Sequence, residues 1–200
     1  MNLRNQNILI DELPEYLTVE GVEYPINTSF RIGIMFSQLL EEIADPLQFR
    51  ANAINLFFDT QYFNELFNSE TVMEQIIWFF NCGFKEDEQK IKYIKEHDIV
   101  IEKPDKHYDY DYDADSIYAS FMYDYKIDLQ DIDTMHWWKF NALLRGLSDD
   151  TRFKKILHIR TYDMTDLSNK AKMRIQKIQR QEPYAIPRKI DDYDMGKAEG

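Results

Sequence analysis

Asp109, Asp111, Asp113 and Asp115 fall within seven residues, DYDYDAD, where Asp and Tyr alternate up to Asp113. Carboxylates at the first, third and fifth positions reproduce the opening of an EF-hand loop, which wraps a hard cation in oxygen ligands. The pattern then breaks. Ala114 stands where the loop needs glycine for its sharp turn, and Ser120 stands where it needs a bidentate Glu. Starting the frame at Asp111 puts Ser116 and Met122 at those two places. Two-metal hydrolysis gathers carboxylates from separate elements, usually with Lys or His beside them, and a single acidic run does not supply that. The run is expected to bind no metal and to serve as an acidic entry to a helix.

His136 precedes Trp137 and Trp138, but no Ser, Cys or second His lies at a spacing that suggests a proton relay. A buried, hydrogen-bonded histidine is expected there rather than a general base. Cys82, between Asn81 and Gly83 after a run of Phe, reads as a small core residue. Glycine loops that cradle phosphate, zinc spacings and the nucleophile elbow are missing from the sequence. No catalytic, cofactor-binding or metal-ligating residue is assigned, and the chain is not expected to be an enzyme.

The elements around these residues read as helices. Asp113 or Asp115 is placed to accept hydrogen bonds from the free N–H groups of a first turn, where negative charge also suits the helix dipole. Ala114, Ile117, Tyr118, Phe121, Met122 and Tyr125 then recur at helical spacing and predict one buried face. A second helix is expected from Asp133 or Thr134. It carries Met135, Trp137, Trp138, Phe140, Leu143, Leu144 and Leu147, an apolar side too wide for a single partner, so it should be a central core helix. Gly146 should end it in the left-handed conformation, with Ser148, Asp149 and Asp150 capping the next helix.

Upstream, residues 16–26 alternate as a hairpin, with Glu20-Gly21 at the turn and Pro25 confining the second strand to an edge. Such a pair is marginal alone, so it must rest on helices or join a partner's sheet. Thr28 or Ser29 caps a helix bearing Ile32, Phe36, Leu39, Leu40 and Ile43. Asp45 and Pro46 open another, bearing Leu47, Ala51, Ile54, Phe57 and Phe58. Ser69 caps a third, with Met73, Ile76, Ile77 and Phe80, which stops at Gly83. Residues 85–107 are charged and predict a short exposed helix followed by an extended, hinge-like connector. Beyond Ser148, one helix carries Phe153, Ile156 and Leu157. Thr165 caps another with Leu167, Ala171, Ile175 and Ile178, and Pro183 and Pro187 end regular structure.

The fold expected is mainly α, a compact multi-helix domain with a small N-terminal β-hairpin. Residues 1–28 form an arm and hairpin packed on the body, 29–187 a helical domain, and 188–200 a disordered tail. A chain of 200 residues, 44% of them hydrophobic, can bury a core of ordinary size, and few Gly and Pro argue against a many-turned β fold. One cysteine excludes an internal disulfide and suits a reducing compartment. The longest apolar run, Ile76 to Phe80, is too short to span a bilayer, and the N-terminus lacks the pattern of a signal peptide.

Net charge is −12, unevenly placed. Residues 1–104 carry 18 acids against 8 bases, and residues 105–133 carry 9 against 2, whereas residues 152–190 carry 11 bases against 3 acids. A basic C-terminal helix could approach nucleic acid. An overall acidic chain is repelled by phosphate, however, so that helix is expected to face acidic protein instead, and no nucleic-acid or membrane partner is expected.

The segments ILIDELPEYLTVEGVEYPINTSFRIGI, IIWFFNCG, DYDADSIYASFMYDYKIDLQDI, MHWWKFNALLRGL and PYAIP resemble the bacteriophage gene-product-fifteen family of tailed phages and prophages of Gram-positive bacteria. The likeness runs from about Ile8 to Pro187. Its most specific parts hold Asp113, Asp115, Ile117, Tyr118 and Phe121, then His136, Trp137, Trp138 and Phe140. Whether these are core or contact residues stays open in the sequence, since aromatic stripes at helical spacing are more often core. The family's genes lie between those of the tail tube and the tape measure protein. The resemblance therefore implies a tail assembly chaperone in the host cytoplasm, missing from the mature virion. Its implied partner is the tape measure protein, with the tail tube protein and self-association as further contacts. A structural neck or tail component is the alternative, and an acidic DNA mimic using the carboxylates of residues 105–133 is a more distant one.

Overall fold

The computed structural model describes residues 7–43, 45–84, 107–132 and 134–186. The connector expected over 85–107, apart from His107, and the tail expected over 188–200 lie outside the described residues. The chain divides into two units, residues 1–105 with 129–146, and residues 106–128 with 147–200. The fold is mainly α with a small N-terminal hairpin, and eight α-helices occur among the described residues.

In the first unit, β1 (Tyr16–Val19) and β2 (Val22–Pro25) pair antiparallel, with Leu17 opposite Tyr24 and Val19 opposite Val22. The turn residues Glu20 and Gly21 both have positive φ, 52° and 85°, the two left-handed positions that match a tight hairpin to the twist of its strands. Leu17, Val19 and Tyr24 are buried, and β1 packs on α4 (Val72–Phe80), which supplies the support a lone hairpin needs.

Helix α1 (Phe30–Glu42) is capped by Ser29, whose side chain accepts from Arg31 N, and α2 (Pro46–Phe57) by Asp45, which accepts from Gln48 N with proline in the first turn. Helix α2 buries Phe49, Ala53, Ile54 and Phe57, while Leu47, expected on that face, is exposed. A single 3-10 turn leads to the short α3 (Phe63–Phe67), and α4 then buries Val72, Met73, Ile76 and Phe79. Thr71 stands at the cap position of α4. The expected capping Ser69 lies two residues earlier and accepts from Thr71 N.

Helix α6 (Trp137–Arg145) also belongs to this unit. It begins three to four residues later than expected. Segment 134–136 is held extended: Phe30 N donates to Met135 O and Trp137 N to Thr28 O, both at 2.8 Å, around a bridge between Ser29 and His136. The N-termini of α1 and α6 are thereby tied side by side. Gly146 ends α6 at φ −82°, outside the left-handed region, so that expectation is corrected; its N–H simply continues the ladder to Ala142 O.

The second unit is built on α5 (Ala114–Tyr125) and α7 (Arg152–Arg160), which pack together, with α8 (Asn169–Gln179) following. The buried face of α5 is Ser116, Ile117, Ser120 and Phe121, while Ala114 and Met122 are exposed. The expected apolar stripe is therefore rotated toward two serines. Ser120 explains the shift: its hydroxyl donates to Ser116 O at 2.6 Å and accepts from Phe153 N at 3.2 Å, so small polar side chains let α7 approach closely. Thr151 caps α7 by accepting from Lys154 N. The expected cap, Ser148, is held instead by the Asp124 carboxylate through its N–H and its hydroxyl. Ser168, not Thr165, caps α8, which buries none of its residues.

Candidate functional site

In the first unit the family-motif tryptophans serve the end of α4. The last carbonyls of a helix have no partner in their own ladder, and here the indole N–H of Trp137 donates to Phe80 O at 2.7 Å and that of Trp138 to Phe79 O at 2.8 Å. Gly83, at φ 73°, turns back so that its N–H reaches Trp78 O, and Cys82, buried at φ 56°, donates its N–H to Phe79 O. Trp137 is stacked between Phe80 and Phe140, and Phe140 stacks on Phe30, a pile of four rings. Trp137, Trp138 and Phe140 are all fully buried. The pile reaches the backbone of α1: a Cβ on Gly33 would lie 2.2 Å from the Trp137 ring.

His136 is the N-cap of α6. Its Nδ1 accepts from Trp138 N at 3.0 Å, which assigns the proton to Nε2, 3.1 Å from the acceptor Pro14 O. Both ring nitrogens are therefore engaged with backbone, and the ring packs edge-on against Phe79 and Trp138. This geometry fits a structural cap.

In the second unit, Asp113 is 2% exposed and its side chain does not accept from the first turn of α5. Its carboxylate instead faces Arg160, with Nη1 at 2.6 Å from Oδ2 and Nη2 at 2.9 Å from Oδ1, while Asp109 N donates to Oδ2 at 2.9 Å. The remaining donors of Arg160 go to Tyr184 O from Nε, to His107 O from Nη1 and to Pro183 O from Nη2. All five N–H groups of the guanidinium are spent, and its plane lies over the Tyr112 ring. The pair is a clasp that fastens the Asp-Tyr turn and segment 183–184 to the end of α7.

Asp109 turns inward on its own loop. Asp109 Oδ1 accepts from the N–H groups of Asp111 and Tyr112, and Asp109 O accepts from Asp113 N. Asp115 is exposed in the first turn of α5, where the dipole favours it. Among the described residues no group of His, Cys, Asp and Glu is arranged to hold a metal ion. Ile117 and Phe121 are buried, and half-buried Tyr118 donates its hydroxyl to Asp128 at 2.9 Å. The motif residues thus gather in two places, Asp113 to Phe121 in the second unit and His136 to Phe140 in the first.

Sequence reasoning missed three arginines that bond backbone carbonyls. Besides Arg160, Arg31 donates to Ile132 O and Leu129 O, and Arg50 to the carbonyls of Phe67 and Ser69. Arg31 and Arg50 are the only bases between residues 5 and 84, and isolated cations in an acidic apolar stretch were the available signal. Titration is perturbed at Tyr24: its hydrogen bond to Glu65, then burial and the Glu65 charge, push the phenol up to about 12. Burial, helped by Asp124, raises Tyr125, and hydrogen bonds from Thr165 hold Asp163 below the usual carboxylate range.

The family model described as "Bacteriophage Gp15 protein" matches residues 9–186. The chain belongs to this bacteriophage family. The match spans both units, so the two motif clusters of this Gp15-family chain fall within one family model. No curated protein and no solved structure matches the chain. Among the described residues, no helix is long and apolar enough to cross a membrane.

Proposed function

We propose that this phage protein is a non-enzymatic tail assembly chaperone that binds the tape measure protein and keeps it soluble in the host cytoplasm until the tail tube forms around it. Family membership over residues 9–186 is the observation that carries this reading, together with the gene position that the family resemblance implies. The side-chain chemistry is consistent with a binding role. Among the titratable motif residues, Asp113 and His136 have their polar atoms spent on internal partners and Tyr118 donates to Asp128, with Asp115 exposed, while large apolar side chains stand exposed at Met35, Leu47, Met122 and Tyr123. Covering amphipathic helices requires apolar surface of that kind. Trp137 and Trp138 are buried in the core of the first unit and do not form such a surface.

Co-expression with the tape measure protein of the same phage, followed by affinity capture, tests the reading. The expected result is a tape measure protein that becomes soluble and co-purifies, while mass spectrometry of purified particles finds none of this chain. A folded chain that leaves the tape measure protein insoluble, or one recovered in mature particles, overturns it in favour of a virion component.

A further inference from the structure

We propose that the N-terminal turn of one copy of this chain docks on the outward face of α8 in a second copy, a head-to-tail contact between unlike surfaces. It does not depend on the tape measure protein.

Helix α8 presents Lys170, Met173, Arg174, Lys177 and Ile178 at i, i+3, i+4, i+7 and i+8, one continuous stripe, and all five are exposed. Its other side is already used, since Gln179 donates to the carbonyls of Ile159 and Arg160, and Ala171 and Ile175 are half-buried there. Residues 169–181 hold five bases and no acid. A stripe that mixes cations with Met173, 71% exposed, fits a partner that offers carboxylates next to apolar side chains.

The N-terminal turn has that composition. Asn7 N donates to the Asp11 carboxylate, Leu9 N to Asn7 Oδ1, and the N–H groups of Ile10 and Asp11 to Asn7 O. The turn is thus pre-formed, which lowers the ordering cost of docking. It holds Leu9 and Ile10 at 87% and 80% exposure, the most exposed large apolar residues described, with Asp11, Glu12 and Glu15 directly after them. Residues 5–30 hold five acids and no base, matching the five bases of residues 169–181. Each surface is exposed among the described residues, and a second copy brings the complement of each. Because the surfaces differ, the contact is heterologous and propagates to a ring or a chain of copies. Two apolar side chains and a few exposed charges make a small, weak interface that salt screens.

Sedimentation velocity over a wide concentration range tests this with three proteins: the full chain, a Leu9→Ser/Ile10→Ser variant, and a Met173→Ser/Arg174→Glu variant. All four side chains are exposed, so unchanged melting curves are expected. In low salt the full chain should gain mass with concentration and lose it in high salt, and each variant alone should stay monomeric. An equal mixture of the variants should form a two-chain species and nothing larger, because each copy retains one intact surface. A full chain that stays monomeric, variants that associate like the full chain, or a mixture that stays monomeric would each overturn the proposal. Salt-sensitive binding of a labelled DNA duplex by a monomeric full chain would reassign the α8 face to polyanions.

Discussion

The two units close their centres with opposite chemistry. The first rests on rings: Phe30, Phe140, Trp137 and Phe80 stack in sequence, Phe36 meets Phe80 edge-on and Phe57 in turn meets Phe36, and the indole N–H donors finish α4. The second has few large apolar side chains inside, chiefly Ile117, Phe121, Leu147, Phe153 and Ile156, and it buries Asp113, Ser116, Ser120 and Thr151 among them. There one saturated guanidinium fastens three stretches of chain. Where apolar area is plentiful, polar groups need only be satisfied. Where it is scarce, a charge pair fixes the geometry, and its loss should be felt throughout the loops it holds.

Trp138→Ala should carry the largest penalty, because it removes a fully buried indole together with the hydrogen bond to Phe79 O. A loss of roughly 3–5 kcal/mol is expected for such truncation, read as a lower denaturation midpoint, with hydrogen exchange rising first across 72–83 and 137–145. An unchanged midpoint would mean that the ring is not core in solution. Arg160→Ala should come close behind, at about 3 kcal/mol, since it strands the Asp113 carboxylate in a buried site. Its exchange signature should fall on 107–125 and 152–160 instead. Arg160→Met combined with Asp113→Leu should recover part of that loss, because a buried pair replaced by apolar groups of like volume costs less than one broken in half. Failure of that recovery would make the carbonyl bonds of Arg160, rather than the ion pair, the main anchor.

Gly33→Ala sharpens the contrast at smaller cost. The added methyl meets the flat face of Trp137, itself boxed between Phe80 and Phe140, so the ring has no free direction in which to yield. Overpacking of this sort costs about 1–3 kcal/mol, and a melting temperature that does not fall would show that the aromatic pile is loosely packed.

This contrast also separates what the sequence discloses from what it hides. The hairpin, the caps at Ser29 and Asp45 and the stop at Gly83 were legible, because each depends on residues within a few positions of one another. Apolar content marked α6 as a core helix but left open whether Trp137, Trp138 and Phe140 were core or contact residues; all three are buried. The role of Asp113 was hidden, because an Asp before a helix reads as a cap and its true partner lies 47 residues away. Ser120 was hidden for the same reason, its acceptor role toward Phe153 N being a long-range contact. The start of α6 was misplaced because the bridge between Ser29 and His136 spends residues 134–136 as extended chain, a tertiary demand that helix propensity does not register.

The smallest effect is one of pH, and it compares a tyrosine from each unit. The Tyr24 hydroxyl donates to Glu65 at 2.5 Å; ionising it would remove the donor and set a phenolate against a carboxylate, so its pKa rises from 10.0 to about 12. Because the folded value lies above the unfolded one, the contribution of Tyr24 to stability is complete below about pH 10 and is lost as pH rises through about 12. Tyr125 in the second unit is also raised, but mainly by burial and then by the charge of Asp124. Spectrophotometric titration should therefore show a late-ionising phenol that Tyr24→Phe removes and Tyr125→Phe leaves in place. In the same pH range the melting temperature of Tyr24→Phe should fall less steeply than that of the parent chain. If both variants keep the late phase, the hydroxyl of Tyr24 is not bonded to Glu65 in solution, and Tyr24 holds the hairpin to the stretch before α3 through its ring contacts with Phe58 and Tyr62.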